Sequence, residues 1–177
     1  EPFVMNLASA DAEVLQRSRD HAREAIQWCA RLDIPFYSVH CGFCFDPRPD
    51  QLGGDLADLP CISREQAEEI FTESMTILAH CAEKAGIELA IENNVAAPLN
   101  LKNGENRGLL GVTPDDLMRI LGRFDHHQTG LLLDLGHLQI SGLSLGFSPE
   151  DAVATLAPYV RALHLSDNNG IRDSNDR

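Results

Sequence analysis

Leu131-Leu-Leu-Asp-Leu-Gly-His137 decides how the rest of the chain is read. Three successive leucines suit a strand buried on both faces, as in a parallel sheet covered by helices. Asp134 stands where the apolar run stops, Gly136 offers a sharp turn, and His137 follows three residues after the aspartate. A carboxylate and an imidazole at the mouth of a buried strand are a candidate site. Three further segments share the layout: Phe36-Tyr-Ser-Val-His40 ends in His40, Ile87-Glu-Leu-Ala-Ile-Glu92 in Glu92, and Val160-Arg-Ala-Leu-His164 in His164.

Between these runs the sequence is helical. From about Asp11 to Leu32, Val14, Ala22, Ala25, Ile26 and Cys29 recur at helical spacing, with Ser9 or Asp11 as the cap. Ser63-Arg-Glu-Gln66 is a capping-box pattern opening a helix that Gly86 stops. Thr113-Pro114 and Ser148-Pro149, each followed by acids, mark two more helix starts. The first residues, Glu1 to Ser9, read as the tail of a strand followed by a turn. The expected order is a strand tail and then helix–strand four times, a parallel α/β architecture. Parallel strands bring His40, Glu92, Asp134 and His164 to one edge of the sheet. Active sites lie at that edge in a (β/α)₈ barrel, and ligands bind there in a doubly wound sheet. Neither a G-x-G-x-x-G nor a G-x-x-x-x-G-K-[ST] phosphate fingerprint is present.

Bulk properties narrow the function classes. The 177 residues are expected to form one domain, 1–177, with a flexible polar tail at 166–177. The formal charge of −13 argues against a nucleic-acid partner held through phosphates. No apolar run approaches the roughly 20 residues of a membrane span, and no signal-peptide pattern is seen, so a cytoplasmic location is expected. Five cysteines, an odd number, fit reduced thiols. Cys41-Gly-Phe-Cys44 has C-x-x-C spacing, but without a second such pair it reads as packing rather than as a zinc or redox site. His126-His127 lies before a strand, at the opposite edge from the site, and reads as a solvated loop.

Each candidate has a plainer reading. Glu92 can be a solvated loop carboxylate, though an unpartnered carboxylate ending an apolar strand is costly to bury. His40 and His164 can be hydrogen-bonded structural histidines, and His137 can simply orient its loop. The recurrence of Asp, Glu or His at four strand ends favours the functional reading over four separate accidents.

Val39-His40-Cys-Gly42, Ile91-Glu92-Asn93, Asp134-Leu-Gly-His137 and His164-Leu-Ser-Asp167-Asn168 together resemble the xylose-isomerase-like TIM-barrel superfamily. That superfamily holds sugar and sugar-phosphate isomerases and epimerases, and the apurinic endonucleases. The resemblance implies a parallel (β/α) barrel of which this chain carries strands two (its tail) through six. It implies that Glu92, Asp134 and His164 ligate a divalent metal, with Glu92 also transferring a proton. It implies substrate-binding roles for His40, His137 and Asp167. Two carboxylates and one imidazole suit Mn²⁺, Zn²⁺, Mg²⁺ or Co²⁺ with open positions. Such a metal polarises a carbonyl and stabilises an enediolate while a carboxylate moves the proton.

Two departures stand against the resemblance. The fourth ligand, a glutamate on strand eight, has no counterpart, and Asp173-Ser-Asn175 offers Asn where the superfamily has His. The leading expectation is a metal-dependent sugar or sugar-phosphate isomerase/epimerase acting on a small-molecule sugar, or a truncated relative of one. The competitors are an apurinic endonuclease or other phosphodiesterase, which needs more metal and a basic groove, and a catalytically silent partial barrel. An incomplete sheet is expected either to form a homo-oligomer or to be completed by barrel segments outside this sequence.

Overall fold

The computed structural model describes residues 2–124 and 129–171. Its elements in chain order are α1 (Ala12–Arg31), β1 (Phe36–His40), α2 (Arg64–Ala85), β2 (Glu88–Glu92), α3 (Pro114–Leu121), β3 (Thr129–Asp134), α4 (Leu135–Leu145), α5 (Pro149–Leu156) and β4 (Val160–His164). The strands form one parallel sheet in the order β1-β2-β3-β4. The architecture is therefore parallel α/β.

Local chemistry explains most of the boundaries. Asp11 caps α1, its carboxylate accepting from the backbone N–H groups of Glu13 (2.8 Å) and Val14 (3.1 Å). Ser63, Thr113 and Ser148 cap α2, α3 and α5 in the same way. Gly86 ends α2 in the left-handed conformation (φ 72°), where a Cβ would be strained. The four full strands begin and end within one residue of the sequence expectation.

Two elements differ from that expectation. Residues 2–6 form no strand. The Asn6 N–H donates instead to Ser18 Oγ on α1 (2.9 Å), and the Asn6 side chain binds the loop after β1. These bonds take the place of a ladder. The second difference is α4, where a sharp turn at Gly136 was expected. Asp134 caps this helix, accepting from the His137 N–H (2.9 Å), and Gly136 lies within its first turn. Glycine is needed there for close approach: a Cβ would come 2.3 Å from Ser166 Oγ and 3.0 Å from Asn168 Nδ2. Asn168 also donates to the Gly136 carbonyl (3.1 Å), so the stretch after β4 is tied to α4. His126-His127 and Asp173-Ser-Asn175 lie outside the described residues.

The sheet has two chemically distinct faces. Val39, Leu89, Ile91, Leu131 and Leu133 join Ala22, Ile26, Phe71, Met75, Leu78, Leu117 and Leu156 of the helices in the main core. Side chains alternate along each strand. The other face therefore carries Ser38 and His40, Ala90 and Glu92, Leu132 and Asp134, and Ala162 and His164. The register pairs His40 with Glu92 and Asp134 with His164. The four polar strand ends thus share one face at one edge. No helix among the described residues is long and apolar enough to cross a membrane.

Candidate metal centre

Glu92 and Asp134 end two adjacent interior strands and are nearly buried, at 8% and 4% exposure. Two carboxylates so placed need cationic or donor partners, because their desolvation is otherwise uncompensated. His164 supplies one. Its Nδ1 lies 3.0 Å from Glu92 Oε1 and 3.4 Å from Asp134 Oδ2. One ligand atom from each of Glu92, Asp134 and His164 falls within 4.8 Å of the others. A second set meeting the same condition is His40, Glu92 and His137, so Glu92 is common to both.

The two oxygens of Glu92 face different neighbours. Oε1 meets His164, whereas Oε2 lies 3.5 Å from Ser38 Oγ and 4.0 Å from His40 Nε2. His137 is held on the first turn of α4. Its Nδ1 is 2.9 Å from the Asn93 carbonyl, and its Nε2 is 3.9 Å from Asp134 Oδ2. The His40 and His137 rings stand 5.7 Å apart, tilted by 33°. Asp167 is exposed, and its carboxylate accepts from the Asn168 N–H (2.9 Å); it belongs to neither ligand set.

Asn93 and Ser38 are site neighbours that sequence reasoning did not single out. Asn93 is fully buried. Its Nδ2 donates to the Asp134 carbonyl (3.0 Å) and its Oδ1 accepts from the Asp134 N–H (2.7 Å). The signal for Asn93 is a polar residue directly after a buried strand. Ser38 has a signal only through alternation, two residues before His40.

The C-x-x-C pair packs as expected. Cys41 and Cys44 are buried free thiols. Burial first, then nearby carboxylates, pushes the Cys41 thiol far above its ordinary range, and burial pushes Cys44 up to about 11. Neither is in a metal-ligand cluster among the described residues.

Residues 1–177 match the xylose isomerase-like TIM barrel family. The chain belongs to this family. A protein of uncharacterised function from Methanocaldococcus jannaschii is 26% identical over 176 residues, covering 97% of this chain and 51% of that protein. Among solved structures, a D-tagatose 3-epimerase-like protein aligns with a TM-score of 0.72 at 24% identity, covering 98% of this chain and 57% of its own. The D-psicose 3-epimerase of Clostridium cellulolyticum, crystallised with D-tagatose, aligns with a TM-score of 0.64 at 17% identity, covering 92% of this chain and 49% of its own. At these identities the structures share the fold. The chain spans about half the length of these relatives, so its sheet corresponds to part of the family barrel.

Proposed function

We propose that this chain carries the metal centre and proton-transfer carboxylate of a divalent-metal-dependent sugar or sugar-phosphate isomerase or epimerase. The observation that carries this reading is the meeting of Glu92, Asp134 and His164 on one edge of a family barrel, with their ligand atoms within 4.8 Å. The donor set fits a cation. Two nearly buried carboxylates and a half-exposed imidazole supply hard oxygens and a borderline nitrogen, which suits Mn²⁺, Mg²⁺, Co²⁺ or Zn²⁺. A bound ion would supply Lewis acidity at a substrate oxygen.

The remaining chemistry belongs to the side chains. Glu92 Oε1 and Asp134 Oδ2 flank His164 and would serve as ligands with it. Glu92 Oε2, on the Ser38 and His40 side, would take the proton from a substrate carbon next to a carbonyl. His40, His137 and Asp167 would hold substrate hydroxyls. The −13 charge favours this reading over a nucleic-acid phosphodiesterase.

Calorimetric titration with Mn²⁺, Co²⁺, Mg²⁺ and Zn²⁺ tests the centre. Asp134→Asn and His164→Ala should each weaken binding by about a hundredfold or more, since even outer-shell losses cost about 10–100-fold. Wild-type affinity in both variants removes the assignment. Incorporation of solvent deuterium into sugar C–H positions, followed by NMR, tests proton transfer. Glu92→Gln should abolish exchange at saturating metal, because an amide cannot accept the proton. Unchanged exchange takes Glu92 out of the reaction.

A further inference from the structure

A cleft of about 750 Å³ adjoins the metal centre. Its walls come mainly from two loops, residues 41–63 after β1 and 93–113 after β2. His40 and His137, which stand beside Glu92, also line it. The rest of its lining is largely apolar, with Met5, Leu7, Phe43, Leu52, Leu99 and Leu109 among its larger members.

The two loops are built as one unit. Phe43 and Leu109 form an antiparallel bridge. Asn94 Nδ2 donates to both the Gly42 carbonyl (3.0 Å) and the Leu110 carbonyl (2.9 Å), joining the loops from within. Behind the wall Phe45, Leu56, Ala96, Leu109 and Val112 make a small core separate from the main one. The cleft is therefore preformed, as small-molecule sites usually are. Two of its lining residues stay unusually exposed for leucine, Leu52 at 50% and Leu99 at 39%.

The charges of these loops point the same way. Residues 41–63 and 93–113 contain three basic side chains, Arg48, Lys102 and Arg107. Each already faces an acid: Arg48 faces Asp50, Lys102 faces Asp58, and Arg107 faces Glu105. None of the three lines the cleft. A phosphate monoester here would give up hydration with no lysine or arginine among the lining residues to replace it, in a chain of net charge −13. An apolar group would gain from leaving water at the same walls.

We propose that the cleft receives the apolar aglycone of an uncharged glycoside whose sugar ring carries a ketone, the ring extending from the cleft past His40 and His137 to Glu92. This rests on the carbohydrate reading above and narrows it: the substrate class becomes alkyl or aryl glycosides with a ketone on the sugar ring, the carbonyl beside which Glu92 would take the proton, rather than sugar phosphates. Plain glycosides are its unreactive binding analogues. The volume leaves room beyond a single sugar ring, and the leucines at the solvent side would close over the aglycone.

Calorimetry on the Mg²⁺-loaded chain tests the assignment. The probes are the phenyl glycosides of glucose, galactose and mannose, each against its methyl glycoside, with glucose 6-phosphate alongside. At least one phenyl glycoside should bind about tenfold more tightly than its methyl counterpart, and glucose 6-phosphate should bind no more tightly than a methyl glycoside. Leu52→Ser combined with Leu99→Ser should erase the phenyl preference. Both positions are partly exposed, so the fold should survive, and Mg²⁺ affinity should stay at the wild-type value. Equal affinity of phenyl and methyl glycosides, no binding of any phenyl glycoside, tighter binding of the phosphate ester, or a preference that persists in the double variant each overturn the proposal. Mg²⁺ titration of the same sample reads the metal centre independently, so failure of the cleft assignment is separable from failure of the centre.

Discussion

Asn93 shows how one residue, through its side chain and its backbone carbonyl, sets the geometry of two others. Its carboxamide pairs with both the N–H and the carbonyl of Asp134, as a backbone peptide in a ladder would. Its own carbonyl faces His137 Nδ1 at 2.9 Å. A carbonyl only accepts, so Nδ1 carries the proton and Nε2 is left as the acceptor of the neutral ring. Asn93 is thus a positioning residue for one ligand and one substrate-side imidazole. Asn93→Ala should lower metal affinity about 10–100-fold, the usual cost of an outer-shell partner. Long-range ¹H–¹⁵N spectra should show the Nδ1–H form of His137 in both proteins, because the backbone carbonyl of residue 93 remains in the variant. Unchanged metal affinity would reduce the Asn93 side chain to packing. The strand-end residues themselves were legible in the sequence because each closes a short apolar run. Asn93 was not, because its partners lie 41 and 44 positions away and are fixed only by the parallel register of β2 and β3.

Among the elements, α2 and α3 are joined by charge as well as by apolar packing. Glu68 on α2 is 3% exposed and accepts from Arg119 Nη2 (2.6 Å) and Nε (3.1 Å), with Arg123 Nη2 at 3.4 Å. Glu68 and Asp116 hold the Arg119 guanidinium above its usual range. The arrangement is asymmetric, because the carboxylate is buried while both arginine side chains keep partial access to water. Removing Glu68 returns the arginines to solvent, whereas removing Arg119 leaves a buried anion short of its bidentate partner. Glu68→Leu should therefore cost about 1–3 kcal/mol, and Arg119→Leu more, toward about 3–5 kcal/mol. Urea unfolding of the two variants checks the order, and a reversed order would show that burial of the carboxylate is not what matters. The acidic run containing Glu68 reads in sequence as a solvated helix face, because no local signal distinguishes Glu68 from Glu65, Glu69 and Glu73. The helix boundaries are legible for the opposite reason, since Ser63, Thr113-Pro114 and Ser148-Pro149 act within their own first turns. The exception is α4. It has no polar stripe to give a helical period, and its cap is the same Asp134 that the sequence marks as a ligand.

At the scale of the whole molecule, the sheet has two edges. β1 pairs only with β2 and β4 only with β3 among the described strands. At the β4 edge the apolar surface is substantial, with Leu163 52% exposed, Leu165 76%, Leu143 67% and Ile171 58%. Family barrels avoid such edges by closing on themselves, and this chain spans about half the length of its relatives. An open strand edge beside exposed leucines pairs readily with another chain, and a two-fold symmetric contact is the commonest closed solution. The 177-residue chain by itself should therefore self-associate in the micromolar range, seen as a sedimentation coefficient that rises with concentration. Leu163→Lys with Leu165→Lys places two charges at and just past the end of β4 and should shift the population toward monomer. Neither leucine belongs to the main core, so the melting temperature of the monomer should change little. A parent chain that sediments as a monomer at every concentration would mean that the β4 edge is already protected. A lysine variant that associates as strongly as the parent would instead move the contact to the β1 edge, where Ser38 and Tyr37 offer a more polar surface and Lys substitution should have correspondingly less effect.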